Sequence, residues 1–114
     1  MSRGNGHRLT VRELADRLPT PAGKRFVVGL ERGELTVELY KPQGRDPQQP
    51  HTRDEAYVVV EGRGEFVMGD ERVPFGPGDF LFVPAGMTHR FENFGESVTA
   101  WVVFYGPEGG DPTA

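Results

Sequence analysis

Two histidines and a glutamate stand where their types and spacing can do chemistry. In the stretch QQPHTRDEAYVVVEG, His51 lies four residues ahead of Glu55, and Glu55 opens the most apolar run of the chain. Strand parity puts Glu55, Tyr57 and Val59 on one face and Ala56, Val58 and Val60 on the other. His51 shares the parity of Glu55 if extended chain begins before it, although Pro50 interrupts regular geometry there. A carboxylate on a buried face needs a cation or hydrogen-bond donors, because an unpaired buried charge is too costly. His89 sits at a second loop-to-strand edge, in THRFEN. Two neutral imidazoles and one carboxylate form a set that suits Fe(II), Mn(II) and related divalent ions. The same side chains could instead make a buried hydrogen-bonded cluster without a metal, and spacing alone leaves to the fold whether His89 meets the other two. Tyr57 shares the face of Glu55 and is the candidate general base; its alternative is a packed ring with the hydroxyl bonded at the rim. The third histidine, His7, falls in the first few residues.

Elements must bring these residues together, and the sequence reads as many short ones. Residues 1–8 are expected to be a flexible tail, followed by a single domain from 9 to 114. LTVRELADRL carries a helix signal: Thr10 caps, Glu13 reaches back to complete a capping box, and Leu9 and Leu14 take the staple positions. Val11, Leu14, Ala15 and Leu18 form one apolar stripe, and Pro19 ends it. Beyond it the period changes. RFVVGL, GELTVELY, EAYVVV, EFVMG, RVPF, FLFV, THRFEN and VTAWVVFY read as eight strands separated by turns rich in Gly and Pro. In the second of these, Leu35, Val37 and Leu39 alternate with Thr36, Glu38 and Tyr40. Pro74 implies a sheet edge, a bulge or a strand end. One short helix and eight strands predict an antiparallel sandwich or barrel, since an α/β sheet would need crossover helices. Phe66, Met68, Phe80, Phe82, Phe91, Trp101 and Phe104 are expected in the core. Phe91 shares a face with His89 and is a candidate for the lumen.

Composition narrows the function. The 114 residues hold 16 glycines, 10 prolines and no cysteine, which excludes disulfides, thiolate nucleophiles and sulfur-rich metal sites. A formal charge of −4 with scattered Lys and Arg argues against a nucleic-acid surface. No apolar run approaches membrane-spanning length and no apolar leader opens the chain, so a cytoplasmic protein without a membrane partner is expected. GRG and GPG are not phosphate loops, because no helix N-terminus follows them. Arg53 and Arg90 could meet an anionic substrate or lie in solvent.

HTRDEAYVVVEG followed by GDFLFVPAGMTHRFEN resembles the two signature motifs of the cupin superfamily. Gly78, Pro84, Gly86, His89 and Asn93 fill every position of the second motif. In the first, Glu55 and Gly62 match and His51 takes the place of the second histidine. Gln49 occupies the position of the first histidine, and Gly44 lies one residue off the usual spacing of the leading glycine. The resemblance spans Glu34 to Tyr105. It implies an all-β double-stranded β-helix, a jelly-roll barrel, with one short N-terminal helix added, and usually a homodimer. Its lumen would hold a divalent metal ion (Fe, Mn, Ni or Zn) on Gln49 or its equivalent, His51, Glu55 and His89. Glutamine is a poorer ligand than imidazole and would favour harder ions or serve as a supporting donor. The functional expectation is a small metal-dependent enzyme of dioxygenase, isomerase or lyase type acting on an oxygen-rich small molecule. The alternative is a non-catalytic cupin that binds a small ligand or has a structural role, because a fold is not a function.

Overall fold

The computed structural model describes residues 5–112. The first four positions of the tail expected over 1–8 lie outside the described residues, and residues 5–10 have no regular structure. The helix α1 runs Val11–Ala15, shorter than its apolar stripe, and Thr10 and Glu13 form the reciprocal capping box. Such a cap stabilises a helix end by about 1 kcal/mol. Eight strands follow: β1 Phe26–Arg32, β2 Leu35–Tyr40, β3 Asp54–Glu61, β4 Gly64–Met68, β5 Glu71–Phe75, β6 Phe80–Val83, β7 His89–Glu92 and β8 Thr99–Tyr105. Every predicted strand is present. Among the described residues no helix is long and apolar enough to cross a membrane.

The strands form two antiparallel sheets, one ordered β1-β2-β8-β3-β6 and one ordered β5-β4-β7. They are separate hydrogen-bonded units and do not close into one ring. The main core lies between them: Tyr57, Val59, Leu81, Val83, Ala100 and Val102 from the first meet Phe66, Phe75 and Phe91 from the second. Pro74 sits on β5, at the edge of the three-stranded sheet, where a strand tolerates proline.

A smaller apolar cluster lies on the outer face of the five-stranded sheet, where Leu14 packs on Val27 and Leu39 with Leu9, Val11, Leu18 and Trp101 around them. Gly29 permits that approach, since a Cβ there would stand 2.9 Å from Leu14 Cδ1. The helix therefore covers Leu39, from the apolar set of β2. Its polar set faces the interior: Glu38 pairs with Val102, which pairs with Tyr57. Three aromatic residues expected in the core lie outside the main one. Phe80 and Phe82 are 66 % and 43 % exposed on the outer face of β6, because Leu81 and Val83 take the inward parity of that four-residue strand. Trp101 is also outward, under the helix cluster.

Candidate metal centre

The two sheets and one loop each contribute a side chain. Glu55 stands near the start of β3, opposite Val83 on β6 and Phe104 on β8. His89 opens β7 in the other sheet, opposite Met68. His51 precedes β3 on a loop whose position is fixed from the second motif: Gly86 N donates to the His51 carbonyl at 2.7 Å, and Ala85 N donates to Asp54 Oδ1 at 2.9 Å. The turn that carries Pro84 and Gly86 thus binds the segment that carries His51, and two stretches distant in sequence become one site.

Ligand atoms of His51, Glu55 and His89 all lie within 4.8 Å of one another. Glu55 Oε1 is 3.0 Å from His89 Nε2 and 3.8 Å from His51 Nε2. The His51 side chain keeps 36 % of its surface open, against 1 % for Glu55 and 0 % for His89, so the group is reached from solvent on the His51 side. His89 Nδ1 is 2.9 Å from the Met87 carbonyl. A carbonyl only accepts, so Nδ1 carries the hydrogen, and in the neutral ring Nε2 offers its lone pair to the cluster. Despite the short separation, the geometry at His89 Nε2 makes no hydrogen bond. It and Glu55 Oε2 are buried without hydrogen-bond partners. Two orphaned buried polar atoms facing one point are costly unless something satisfies them both. A divalent cation fits that requirement, and the donor set of two imidazoles and one carboxylate fits the ions of the first transition row.

Charge is distributed unevenly over the pair of rings. Burial lowers the His51 pKa, with the nearby Glu55 charge opposing it. Burial works against charging His89 as well, but Glu55 and the Met87 carbonyl outweigh it and hold His89 above its ordinary value. Tyr57 is fully buried, and burial together with Glu55 raises its phenol well above the usual range. Its hydroxyl donates to Gln48 Oε1 at 2.7 Å. Tyr57, the candidate general base, therefore holds its proton at neutral pH and acts as a donor to Gln48.

The glutamine at the centre is Gln48, while Gln49, expected at the ligand position, has an exposed side chain. Asp46 explains the difference. Its buried carboxylate accepts from Gln48 N (3.2 Å), Gln48 Nε2 (2.7 Å), Phe91 N (2.9 Å) and the Tyr40 hydroxyl. A carboxylate cannot donate, so the amide nitrogen of Gln48 must face Asp46 and its oxygen must face the site. That oxygen lies 3.4 Å from His51 Nε2. The sequence offered adjacent glutamines, and a loop between Pro47 and Pro50 gives no parity by which to choose. Of the other candidates, His7 is exposed, and Arg90 pairs with Glu92 away from the cleft. Asn93 takes φ +54° and donates to Glu65 at 2.6 Å, holding its loop.

A cleft of about 990 Å³ opens beside His51 and Gln48. Phe26, Phe104 and Val102 give it apolar wall, and Lys24, Arg25, Arg45 and Arg53 bring cations to it. Arg53 stacks 5.8 Å over the Phe104 ring and donates to Thr36 Oγ1 at 3.2 Å. The cleft also contains Glu38, a carboxyl that the sequence reading passed over. Alternation on β2 revealed a strand but not which face was inward.

Residues 36–105 match the family model for the cupin domain. The chain belongs to the cupin superfamily. An uncharacterized protein of Streptomyces coelicolor, SCO3923, is 41 % identical to this cupin over 81 residues, covering 69 % of this chain and 77 % of that one. The polyketide synthase CurC of Streptomyces cyaneus is 32 % identical over 81 residues, 70 % of this chain and 53 % of its own, so the cupin matches about half of that relative. Among solved structures, a Klebsiella pneumoniae protein with a double-stranded β-helix domain superposes with a TM-score of 0.71 over 89 % of this chain and 90 % of its own, at 18 % identity. That likeness shows the fold, a double-stranded β-helix whose sheets here remain unclosed.

Proposed function

We propose that this cupin is a metal-dependent enzyme that holds one divalent ion on His51, Glu55 and His89 and acts on a small oxygen-rich molecule. The observation that carries the reading is the pair of buried, unpartnered lone-pair atoms, Glu55 Oε2 and His89 Nε2, clustered with His51, which itself lines a cleft of metabolite size. A bound ion supplies Lewis acidity toward a carbonyl or enol oxygen, or with Fe(II) a route to dioxygen chemistry. The chain's own residues do the rest. Gln48 Oε1 stands ready as a neutral oxygen donor beside His51, fixed by Asp46. Tyr57 keeps its proton and orients Gln48. Phe26 and Phe104 offer faces to a planar substrate, while the four basic side chains attract an anionic or strongly polarised one.

An open cleft with a half-exposed His51 favours catalysis over the alternative of a closed, purely structural cupin. Similarity to a polyketide synthase supports a substrate with several carbonyl oxygens, which chelate a divalent ion in pairs. Isomerase or lyase chemistry on such a molecule then takes precedence over dioxygenase chemistry. For assembly the proposal is a homodimer, formed by a second copy of the chain on the outer face of β6. Among the described residues that strand pairs on one side only, and it carries exposed Phe80 and Phe82 beside Val58.

Elemental analysis of protein purified without added metal tests the core of the reading. The expected result is close to one transition metal per chain, lost in His89→Ala while the fold persists by circular dichroism. Wild-type protein with no metal, and no uptake from added Fe(II), Mn(II), Ni(II) or Zn(II), would sink it.

A further inference from the structure

Glu38 is a carboxyl in an unusual place for a surface strand residue. It faces inward from β2, lines the cleft, and makes no hydrogen bond or ion pair among the described residues. β8 lies between β2 and β3, with Val102 opposite Glu38 and Phe104 opposite both Thr36 and Glu55. Two strand spacings across the sheet and two residues along it put the backbones of Glu38 and Glu55 about 12 Å apart. That gap admits a small molecule held at the histidines with its other end against Glu38.

We propose that Glu38 is the proton-transfer residue of this cleft, exchanging a proton with a 1,3-dicarbonyl compound held at His51, Glu55 and His89. The inference rests on the metal site proposed above and adds to it the group that moves the proton. Glu38 as carboxylate takes the proton from the carbon between the two carbonyls. The C–H bond breaks, an O–H bond forms on Glu38, and the electron pair remains on the substrate, shared by its two oxygens. Returning the proton to another carbon or oxygen completes an isomerisation that needs no oxidant. The chemistry suits the residue: burial, then the charge of Glu55, raises its pKa to about 7, with Arg53 opposing and Glu31 adding. A carboxyl poised there both accepts and returns a proton near neutrality. The charged groups facing it are Glu31 from β1 and Arg53 and Glu55 from the β3 side, while β8 presents Val102.

The test uses zinc as the ion and 2,4-pentanedione as the probe. Binding heats in buffers of different ionisation enthalpy count the protons released to solution, about one pH unit above the Glu38 midpoint. Wild-type protein is expected to release about one proton fewer than Glu38→Gln, because Glu38 retains it. Equal counts, with zinc and dione bound normally in both, overturn the role of Glu38 and leave the metal site standing. Zinc uptake without dione binding overturns the substrate class. Failure of the wild type to take up zinc removes the metal site itself, and it is read before Glu38 is touched. If Glu38→Gln does not fold, carbon-13 carboxyl spectra of the zinc-loaded wild type serve instead. The Glu38 signal is expected to move to its protonated position when dione is added, and a stationary signal overturns the proposal.

Discussion

Protons and a divalent ion compete for the same lone pairs at His51 and His89. Ligation needs both rings neutral at Nε2, so acidification must release metal. The raised pKa of His89 brings its competition in at a higher pH than for an ordinary histidine, whereas His51, lowered by burial, protonates later. Metal affinity should therefore fall in two overlapping steps as pH drops, the first removed by His89→Ala together with most of the binding; zinc titrations across pH measure this. Glu38 gives a prediction of opposite kind, for the metal-free protein. Its folded pKa lies above the unfolded value of 4.5, at about 7, so the folded state binds the proton more tightly. The contribution is fully present below pH 4.5 and lost as pH rises through 7. Glu38→Gln should match wild type in acid and exceed it by about 1 kcal/mol above neutrality, after discounting for the solvent that reaches this partly open group. Urea unfolding at the two extremes checks it. At this scale the cluster of His51, Glu55 and His89 was legible from the motifs, because ligand-type side chains and their spacing are written in local sequence. The choice of Gln48 over Gln49 was not, since it depends on where the Asp46 carboxylate sits.

Strands were easy to read from their alternation and their Gly and Pro boundaries, but the direction each one faces was not. A strand with one apolar and one polar face ordinarily turns the apolar face inward. On β2 the reverse holds, because α1 covers Leu39 from outside while the cleft accommodates Thr36 and Glu38. On β6 the four-residue pattern FLFV is apolar throughout, and only the pairing of Leu81 with Tyr57 reveals that Phe80 and Phe82 point out. The β4–β7 pairing carries His89, and it tolerates no side chain at Gly64. A Cβ there would stand 2.6 Å from the Glu92 carbonyl oxygen and 2.8 Å from that of Asn93, both backbone atoms. Gly64→Ala should cost about 1–3 kcal/mol and loosen the start of β7. Thermal unfolding measures the first effect and weakened zinc uptake the second.

Assembly belongs to the molecule as a whole. The outer face of the five-stranded sheet is covered by α1 at one end and exposes Val58, Phe80 and Phe82 at the other, next to the unpaired edge of β6. An apolar strip beside a free strand edge is an aggregation hazard unless something pairs with it. A second copy related by a two-fold axis would cover both strips at once. The wild-type protein should run as a dimer in light scattering, and Phe80→Asp combined with Phe82→Asp should run as a folded monomer with its metal content intact. A monomeric wild type, or a dimer unchanged in the double variant, would place the interface elsewhere.

Residue types, turn chemistry and period determined the eight strands, the capped helix and the three ligand-type side chains, because each is set by neighbours within a few positions. Tertiary structure alone decided that His51 and His89 come together, that Gln48 and not Gln49 lies beside His51, and that Glu38 looks into the cleft. Those outcomes depend on contacts between segments tens of residues apart, such as Gly86 N on the His51 carbonyl, and local sequence carries no record of them.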